Sequence, residues 1–116
     1  MAFTLSLRRP FVADHFHDLP GFQEDRHGHN WEVEAAVALA CEAEEAAFAT
    51  ALDAWVTTLD YRLLNDLAPL TGRNPTAEAL AEQAFHFLQG AALKPCWVKV
   101  REKANFWALC RAGADR

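Results

Sequence analysis

Two histidines separated by one glycine, His27-Gly28-His29, carry the strongest chemical signal in the sequence. On a β-strand, side chains two residues apart point to the same face, so these two imidazoles can converge on one metal ion. Gly28 has no side chain and lets another group approach the strand closely from behind. A histidine pair also arises by chance in loops, so a metal site is predicted only if a further ligand lies nearby.

His15 can supply that further ligand, because it lies twelve residues before His27. If residues 18–26 form a hairpin loop between two strands, His15 sits opposite the pair. Three neutral imidazoles with one open position are typical of a catalytic zinc site, whereas structural zinc sites generally have all four positions filled. The sequence therefore predicts Zn²⁺ on His15, His27 and His29. His17 shares the face of His15 and is a rival ligand.

Glu102 is the second informative residue, because it continues an apolar face. Alternation places Val98, Val100 and Glu102 on one side of a predicted strand, with two cationic residues between them on the other side. A buried carboxylate without a partner is costly, so Glu102 must be paired or must bind a ligand. A planar heterocycle with adjacent N–H donors would satisfy both of its oxygens. The alternative is a strand-end glutamate that turns back to solvent.

Extended apolar patterns predict four strands in the order strand-strand-helix-helix-strand-strand. Strands paired through short connections and segregated from two helices are typical of an antiparallel α+β domain. Four strands with both helices on one face leave exposed sheet edges, which favours closure by neighbouring subunits. The predicted strands cover residues 3–16, 27–40, 96–103 and 105–111, and residues 18–26 are predicted to be a loop.

Two amphipathic helices are predicted between the strand pairs. The first begins near Glu42, because apolar residues from Phe48 onwards recur at i, i+4, i+7, i+8 and i+11. The second is capped by Asn74, with Pro75 at its first position, where a missing N–H costs nothing. It is predicted to end at Gly90.

The composition is typical of one soluble globular domain spanning residues 1–116, with 52% apolar and 23% charged residues. The formal charge is −5 and the strongest cationic run is the pair Arg8-Arg9, so neither nucleic acid nor an anionic membrane is an expected partner. Neither a secretory signal nor a long apolar segment is recognisable, so a cytoplasmic location is expected. A domain this small would gain from oligomerisation.

The remaining cysteine and histidine residues are not expected to do chemistry. Cys41, Cys96 and Cys110 are odd in number and far apart, so they are predicted to be buried cytosolic thiols. His86 falls on the second predicted helix and is expected to be an ordinary surface or core residue.

Taken together, these motifs resemble the 6-pyruvoyl tetrahydropterin synthase family, which includes the 6-carboxy-tetrahydropterin synthases of queuosine biosynthesis. The resemblance extends over nearly the whole chain, and the combination is more specific than any single motif. It rests on five segments in the family's order, FVADHF at 11–16, HGH at 27–29, LDYRLLN at 59–65, PTAE at 75–78 and VKVRE at 98–102.

The resemblance implies a fold, a metal and a ligand. The fold would be the tunnelling fold, in which subunits join into trimeric β-barrels that stack as hexamers. The metal would be zinc on His15, His27 and His29. The ligand would be a pterin in a pocket between subunits, with its ring anchored by Glu102 and helped by Thr76 and the neighbouring backbone.

Two residues depart from the family's pattern. Gln23 stands four residues before the HGH motif, where the family usually carries a catalytic cysteine, and Tyr61 replaces the histidine that follows the aspartate of a Leu-Asp-His motif. Asp60 and Asn65 remain, which marks a substitution within an aligned motif. The usual proton-transfer set of cysteine, histidine and aspartate is therefore reduced to Asp60.

Glu24, three residues before His27, is the nearest candidate for a replacement base. Cys41 is too distant, because twelve residues of extended strand beyond His29 span roughly 40 Å. Family members that form 6-hydroxymethyl-dihydropterin are known for a glutamate in place of the cysteine. The alternative is that Glu24 is a solvated loop acid. Tyr61 can donate a hydrogen bond, but its ordinary pKa near 10 makes it a poor proton shuttle at neutral pH.

These features lead to two hypotheses. The first is a zinc-dependent, lyase-like enzyme that acts on the side chain of a reduced pterin, with Glu102 orienting the ring and Glu24 moving the proton. The second is a catalytically inactive pterin- or purine-binding protein that retains the zinc site and the pocket, which would also explain Gln23 and Tyr61. Under both hypotheses, the partners are a small pterin-like molecule and further copies of the chain.

Overall fold

The computed structural model describes residues 2–70 and 72–113, and at residues 19, 22 and 23 it describes the backbone alone. Segments with alternating apolar residues form strands, which are β1 (Phe3–His15), β2 (Asp18–Leu19), β3 (Phe22–Gln23), β4 (His27–Leu39), β5 (Arg62–Leu63), β6 (Pro95–Lys103) and β7 (Phe106–Arg111). The described α-helices are α1 (Glu44–Leu59) and α2 (Ala77–Gly90), and 3₁₀ turns cover Leu64–Asp66 and Ala68–Leu70.

Five strands form one sheet, in the order β5-β1-β4-β6-β7. β1 and β4 pair antiparallel along their whole lengths, from Phe3 opposite Leu39 to His15 opposite His27. β6 pairs antiparallel with β4, and β7 pairs antiparallel with β6. The α+β class predicted from the sequence is therefore confirmed. The predicted loop over residues 18–26 contains a small hairpin, in which β2 pairs with β3.

The prediction of a four-stranded antiparallel sheet is wrong in one respect, because β5 adds a fifth strand parallel to β1. Two contacts to Val12 hold the chain there. Its N–H donates to Asp60 Oδ1 at 2.9 Å, and its carbonyl accepts from Tyr61 N–H at 2.6 Å. Tyr61 adopts a φ of 60°, in the left-handed region, where the chain turns from α1 into β5. β5 has only two residues, which is too short for a periodic pattern to indicate.

The start of α1 lies slightly later than predicted. The helix begins at Glu44 rather than near Glu42, and the Glu44 carboxylate accepts hydrogen bonds from the backbone N–H groups of Ala40 and Cys41 at 2.6 and 3.3 Å. This carboxylate closes the turn between β4 and α1. In the described part of the chain, no helix is long and apolar enough to cross a membrane.

The predicted cap of α2 is wrong. Thr76 is the capping residue, because its Oγ1 accepts a hydrogen bond from Ala79 N–H at 3.1 Å. Pro75 therefore precedes the cap and does not occupy the first helical position. Asn74 serves the neighbouring loop instead, where its Oδ1 accepts from Asp18 N–H at 2.8 Å. The predicted end of α2 at Gly90 is confirmed.

Both helices pack on one face of the sheet. α1 lies against β1 and β4, whereas α2 lies against β6 and β7. Phe11 stacks on Trp31 with ring centroids 5.9 Å apart and meets Trp55 of α1 edge-on at 5.7 Å. These three rings are at most 2% exposed, so they join the sheet to the helix layer in a dry core.

The opposite face of the sheet carries a row of charged side chains. Arg8 lies 3.9 Å from Glu32 and 3.8 Å from Glu34, and Lys99 lies 3.6 Å from Glu34. Arg101 also forms an ion pair with Glu32. The cations alternate with the carboxylates from strand to strand, so this face has little net charge.

The cysteines do not match their predicted burial. Cys41 is exposed, because it follows β4 in the turn towards α1, and Cys96 and Cys110 are only half-buried. Burial, with a smaller contribution from the charge of Glu82, raises the pKa of the Cys110 thiol. All three are free thiols.

Capping of α2 yields a stability prediction. Thr76→Ala should lower the free energy of unfolding by about 0.5–2 kcal/mol, because the backbone N–H of Ala79 loses its acceptor. Thr76→Ser keeps the acceptor and is the matched control. Urea unfolding followed by circular dichroism measures both, and equal stability of the alanine variant and the unmodified protein would show that the cap contributes nothing.

Candidate metal centre

The structure brings the three predicted metal ligands together at one end of the β1–β4 ladder. His15 is the last residue of β1 and lies directly opposite His27, the first residue of β4, while His29 lies opposite Ala13. One ligand atom from each of the three histidines lies within 4.8 Å of the others. The antiparallel register therefore builds the cluster, because alternation turns all three side chains to the helix-facing side.

Backbone carbonyls orient two of the imidazoles. His15 Nδ1 lies 2.9 Å from Pro75 O, and His27 Nδ1 lies 2.9 Å from Asp25 O. A carbonyl only accepts, so Nδ1 carries the proton in both rings and Nε2 presents its lone pair when the ring is neutral. Hydrogen bonds of this kind commonly orient metal-binding histidines. Pro75 and Asp25 act through their backbones, and no pattern of side chains could have revealed them.

The burial of the cluster suits a divalent cation. His15 is fully buried, and among the described residues the Nε2 atoms of His15, His29 and the neighbouring His17 are buried without a hydrogen-bond partner. An unpartnered buried nitrogen is costly, and a metal ion would satisfy it. Trp31 forms the floor, with ring centroids 5.0 Å from His15 and 5.6 Å from His29. The residues present therefore fit a zinc-like ion.

Electrostatics favour the form of His29 that binds metals. Burial lowers the pKa of His29, and the nearby charges of His15 and His27 lower it further, against an opposing effect from the Glu102 carboxylate. The net shift is downward, so His29 is neutral at pH 7. A neutral imidazole has the free lone pair that a metal requires.

Glu102 reaches the cluster from β6. It follows the buried Val98 and Val100 on the helix-facing side, and its side chain is 12% exposed. Its Oε2 lies 3.2 Å from His29 Nε2 and 3.9 Å from His15 Nε2. The contact with His29 is not aligned as a hydrogen bond, because that nitrogen has no hydrogen-bond partner.

Glu24 lies beside the cluster and is paired with His17. Its Oε1 accepts a hydrogen bond from His17 N–H at 3.0 Å, and lies 3.3 Å from His17 Nδ1 and 4.0 Å from His27 Nδ1. Desolvation raises the pKa of Glu24, but the bond from His17 N–H and the charges of His17, His27 and His15 outweigh it and leave the pKa lowered. His17, the rival ligand, lies beside this carboxylate and is not among the three histidines whose ligand atoms lie within 4.8 Å of one another, although its Nε2 is also buried without a hydrogen-bond partner.

Other predicted residues lie outside the histidine cluster. Asp60 directs its carboxylate to Val12 N–H, and Tyr61 is 81% exposed. His86 is exposed on α2, with its Nδ1 3.2 Å from Gln89 Oε1. Gln23 pairs through its backbone with Asp18 in the small hairpin.

Thr76 and Asn65 form hydrogen bonds to chain segments that lie next to the histidine cluster. Thr76 accepts from Ala79 N–H as the cap of α2, so its hydroxyl proton stays free to donate. Asn65 accepts from the N–H of Phe16 and donates to its carbonyl, at 3.0 and 2.9 Å. Phe16 follows His15 directly, so this amide fixes the chain as it leaves β1.

The side chain of Asp14 approaches Gly28 closely on the face of the strand opposite the two histidines, as the sequence predicted for a glycine here. A Cβ atom at this position would lie 2.6 Å from Asp14 Oδ1. Asp14 lies opposite Gly28 in the ladder and forms an ion pair with Arg26, with 2.8 Å between Oδ2 and Nε. A side chain between the two metal-facing histidines would displace Asp14 from this pairing.

The fold and the cluster together define a class of protein, an α+β domain with three histidines on two paired strands arranged for a divalent metal ion. A sequence profile described as "6-pyruvoyl tetrahydropterin synthase" matches residues 4–113. The chain belongs to this family, as the resemblance of its motifs implied. No match was found among curated protein sequences.

Solved structures share the fold. A Caenorhabditis elegans 6-pyruvoyl tetrahydropterin synthase matches with a TM-score of 0.80 at 16% identity, over 97% of each chain. The Plasmodium falciparum protein of the same name matches at 0.67 and 13% identity, over 94% of this chain and 96% of its own. Cysteine and alanine variants of a glutamate described as a catalytic residue in the Plasmodium vivax protein each match at 0.63 and 13% identity, over 95% of this chain and 97% of their own.

Metal loading is the first test of the site. Purified protein should hold about one zinc per chain, and His15→Ala should lose most of it, because this residue contributes a buried nitrogen without another partner. His86→Ala removes an exposed imidazole from α2 and is the matched control. Elemental analysis of dialysed protein gives the ratio. Full zinc in His15→Ala together with loss in His17→Ala would make His17 the ligand.

Proposed function

We propose that the protein is a zinc-dependent, lyase-like enzyme that acts on the side chain of a reduced pterin. The observation that carries this proposal is the carboxylate of Glu24, which lies 4.0 Å from His27 at the margin of the histidine cluster. A metal site with an adjacent ionised carboxylate suits proton removal next to a carbon–oxygen group. The location expected for such an enzyme is the cytoplasm.

His15, His27 and His29 would hold the metal in this proposal. Zinc bound there would polarise the side-chain oxygens of the pterin and stabilise the enolate-like charge that forms when a carbon-bound proton leaves. The carbonyls of Pro75 and Asp25 keep two of the imidazoles oriented during that step. The Trp31 floor excludes water from the buried side of the site.

Glu24 would accept and return the proton. Its carboxylate is ionised at neutral pH, which is the form that a base requires, although the lowered pKa makes it a weaker base than a free glutamate. The bond from His17 N–H holds Oε1 on the side of the cluster. The Plasmodium vivax protein, in which a glutamate is described as a catalytic residue, supports a carboxylate in this role. Asp60 remains a second candidate for proton transfer.

Glu102 and Thr76 would bind the ring. A pterin presents adjacent N–H donors, and a carboxylate can accept two of them side by side. Glu102 is nearly buried and lies at the cluster, so a ring held by it would place its side chain close to the metal. The free hydroxyl proton of Thr76, together with nearby backbone groups, would serve a ring acceptor.

A pterin- or purine-binding protein without turnover is the second candidate. The placement of Asp60 and Tyr61 favours it, because one carboxylate is bound to Val12 N–H and the phenol is 81% exposed. Neither group lies at the histidine cluster of its own chain. Under this alternative the zinc site and the Glu102 carboxylate would serve binding alone.

We further propose that the chain assembles as a trimer or hexamer through its sheet edges. In the described residues, β5 pairs only with Ala13 and Asp14, so most of β1 lacks a neighbour on that side. At the other edge, Trp107 of β7 is 55% exposed and Leu109 is 45% exposed. Unpaired strands with exposed apolar side chains are stabilised when a second chain pairs with them.

The Glu24 assignment is tested by product analysis. Zinc-loaded protein incubated with a panel of dihydropterins should cleave or isomerise one side chain, as detected by mass spectrometry. Conversion of dihydroneopterin triphosphate to the 6-pyruvoyl product should be very slow, because Gln23 cannot accept the proton that a thiolate would take. Glu24→Gln should reduce turnover by about 10²–10⁴ with the zinc content unchanged.

Glu34→Gln, a change of the same type on the opposite face, is the control for that experiment. Rapid formation of the 6-pyruvoyl product by the unmodified protein would contradict the role of Glu24. Tight binding of a dihydropterin without any product would favour the binding protein.

Assembly is tested by light scattering. The protein should have the mass of a trimer or hexamer at micromolar concentration, a multiple of the 13.0 kDa chain. Trp107→Glu places a charge at the exposed edge of β7 and should weaken the assembly. A mass of one chain for the unmodified protein would contradict the proposal.

A further inference from the structure

Two histidine nitrogens and one carboxylate oxygen face one another at the metal centre without a hydrogen bond between them. His15 donates through Nδ1 to Pro75 O, so its buried Nε2 is a bare acceptor when the ring is neutral. The Nε2 of His29 is buried and also lacks a hydrogen-bond partner among the described residues. Glu102 Oε2 lies 3.2 Å from His29 Nε2 and 3.9 Å from His15 Nε2. A cation between these three atoms would satisfy both nitrogens and the carboxylate at once.

One spacing at the centre matches that of two ligands around one ion, and the spacing to His15 Nε2, 3.9 Å, is somewhat longer. Two ligand atoms about 2.0 Å from a tetrahedral zinc are separated by roughly 3.3 Å. The distance between Glu102 Oε2 and His29 Nε2 is 3.2 Å, so the carboxylate lies where a further ligand would lie. At this distance the carboxylate can reach an ion held by the histidines as well as a ring bound beside it.

Backbone geometry places Glu102 in this position. The β6–β7 ladder pairs Arg101 with Trp107 and Lys103 with Phe106, so Glu102 is the extra residue at a register shift. Extra residues of this kind bend a strand and redirect a side chain, and they are frequent beside active sites. Alternation after Val98 and Val100 turns Glu102 to the helix-facing side, and the register shift falls at this residue, on the strand next to β4.

We propose that Glu102 is the fourth ligand of the metal ion in the ligand-free protein. The site would then be closed, with His15, His27, His29 and one carboxylate oxygen around the ion. The second half of the inference rests on the proposed pterin function. Because one carboxylate cannot serve the ion and the ring together, arrival of the ring would draw Glu102 away and open a position for the oxygens of its side chain.

Such an exchange couples ligand binding to metal access. Before the ring arrives, water and small anions must compete with an anchored carboxylate for the ion. After it arrives, the open position lies beside the bound side chain. Metal and ring therefore compete for Glu102, and each lowers the affinity of this residue for the other.

Azide binding to the cobalt-substituted protein tests whether Glu102 is a ligand of the metal ion. Co²⁺ gives a visible spectrum that changes when an anion enters its coordination shell. Azide should bind Glu102→Gln about 10- to 100-fold more tightly than the unmodified protein, because no carboxylate must be displaced. The variant should also hold zinc about 10- to 100-fold less tightly. Glu34→Gln is the matched control and should behave as the unmodified protein does.

Equal azide affinity in the unmodified and Glu102→Gln proteins would overturn the proposal. If the glutamine variant fails to fold, Glu102→Asp repeats the test, since it keeps the charge but is one methylene shorter and cannot reach the same position. Adding 7,8-dihydropterin, a ring without a side-chain oxygen, to the unmodified protein should tighten azide binding to the level of the variant. Tight azide binding to the variant without any effect of dihydropterin would support Glu102 as a ligand and overturn the pterin site.

Discussion

A fully buried imidazole with an unpartnered nitrogen is the constraint on which the rest of the structure depends. His15 lies at the end of β1 with its Nδ1 bound to Pro75 O, and its Nε2 has no hydrogen-bond partner among the described residues. Its position requires β4 to turn back directly opposite, because His27 pairs with it in the ladder. It also requires the segment that leads into α2, where Pro75 lies. Two strands and the approach to one helix thus meet at a single ring.

The elements that carry a long periodic pattern could be predicted from the sequence. The alternation of β1, β4 and β6 and the apolar stripe of α1 each extend over nine residues or more, and the same periodicity indicated which side of β6 Glu102 would occupy. The histidine cluster followed from this, since alternation and a hairpin suffice to bring His15 to His27. Val98 and Val100 are fully buried, as the pattern of that strand predicted.

The helix cap and the fifth strand could not be predicted, because each depends on hydrogen bonds from single residues to backbone groups elsewhere in the chain. Thr76 caps α2, whereas Asn74 turns to the loop at Asp18, although asparagine is on average the better helix cap of the two residue types. β5 exists because Asp60 and Tyr61 both bond to Val12, a contact between residues about fifty positions apart. Cys41 is exposed because it falls in a turn, and its residue type alone suggested burial.

The pairing of β1 with β4 limits how the sequence can change in length. The ladder continues without a shift from Phe3 to His15, and side chains alternate between the helices and the charged face. An insertion of one residue within either strand would turn the histidines, together with every apolar neighbour beyond it, to the wrong side, unless the strand bulged. The exposed turn at residues 20 and 21, between β2 and β3, carries no such restriction, because it contributes no group to the histidine cluster. Related chains should therefore keep the lengths of β1 and β4 and differ in this turn.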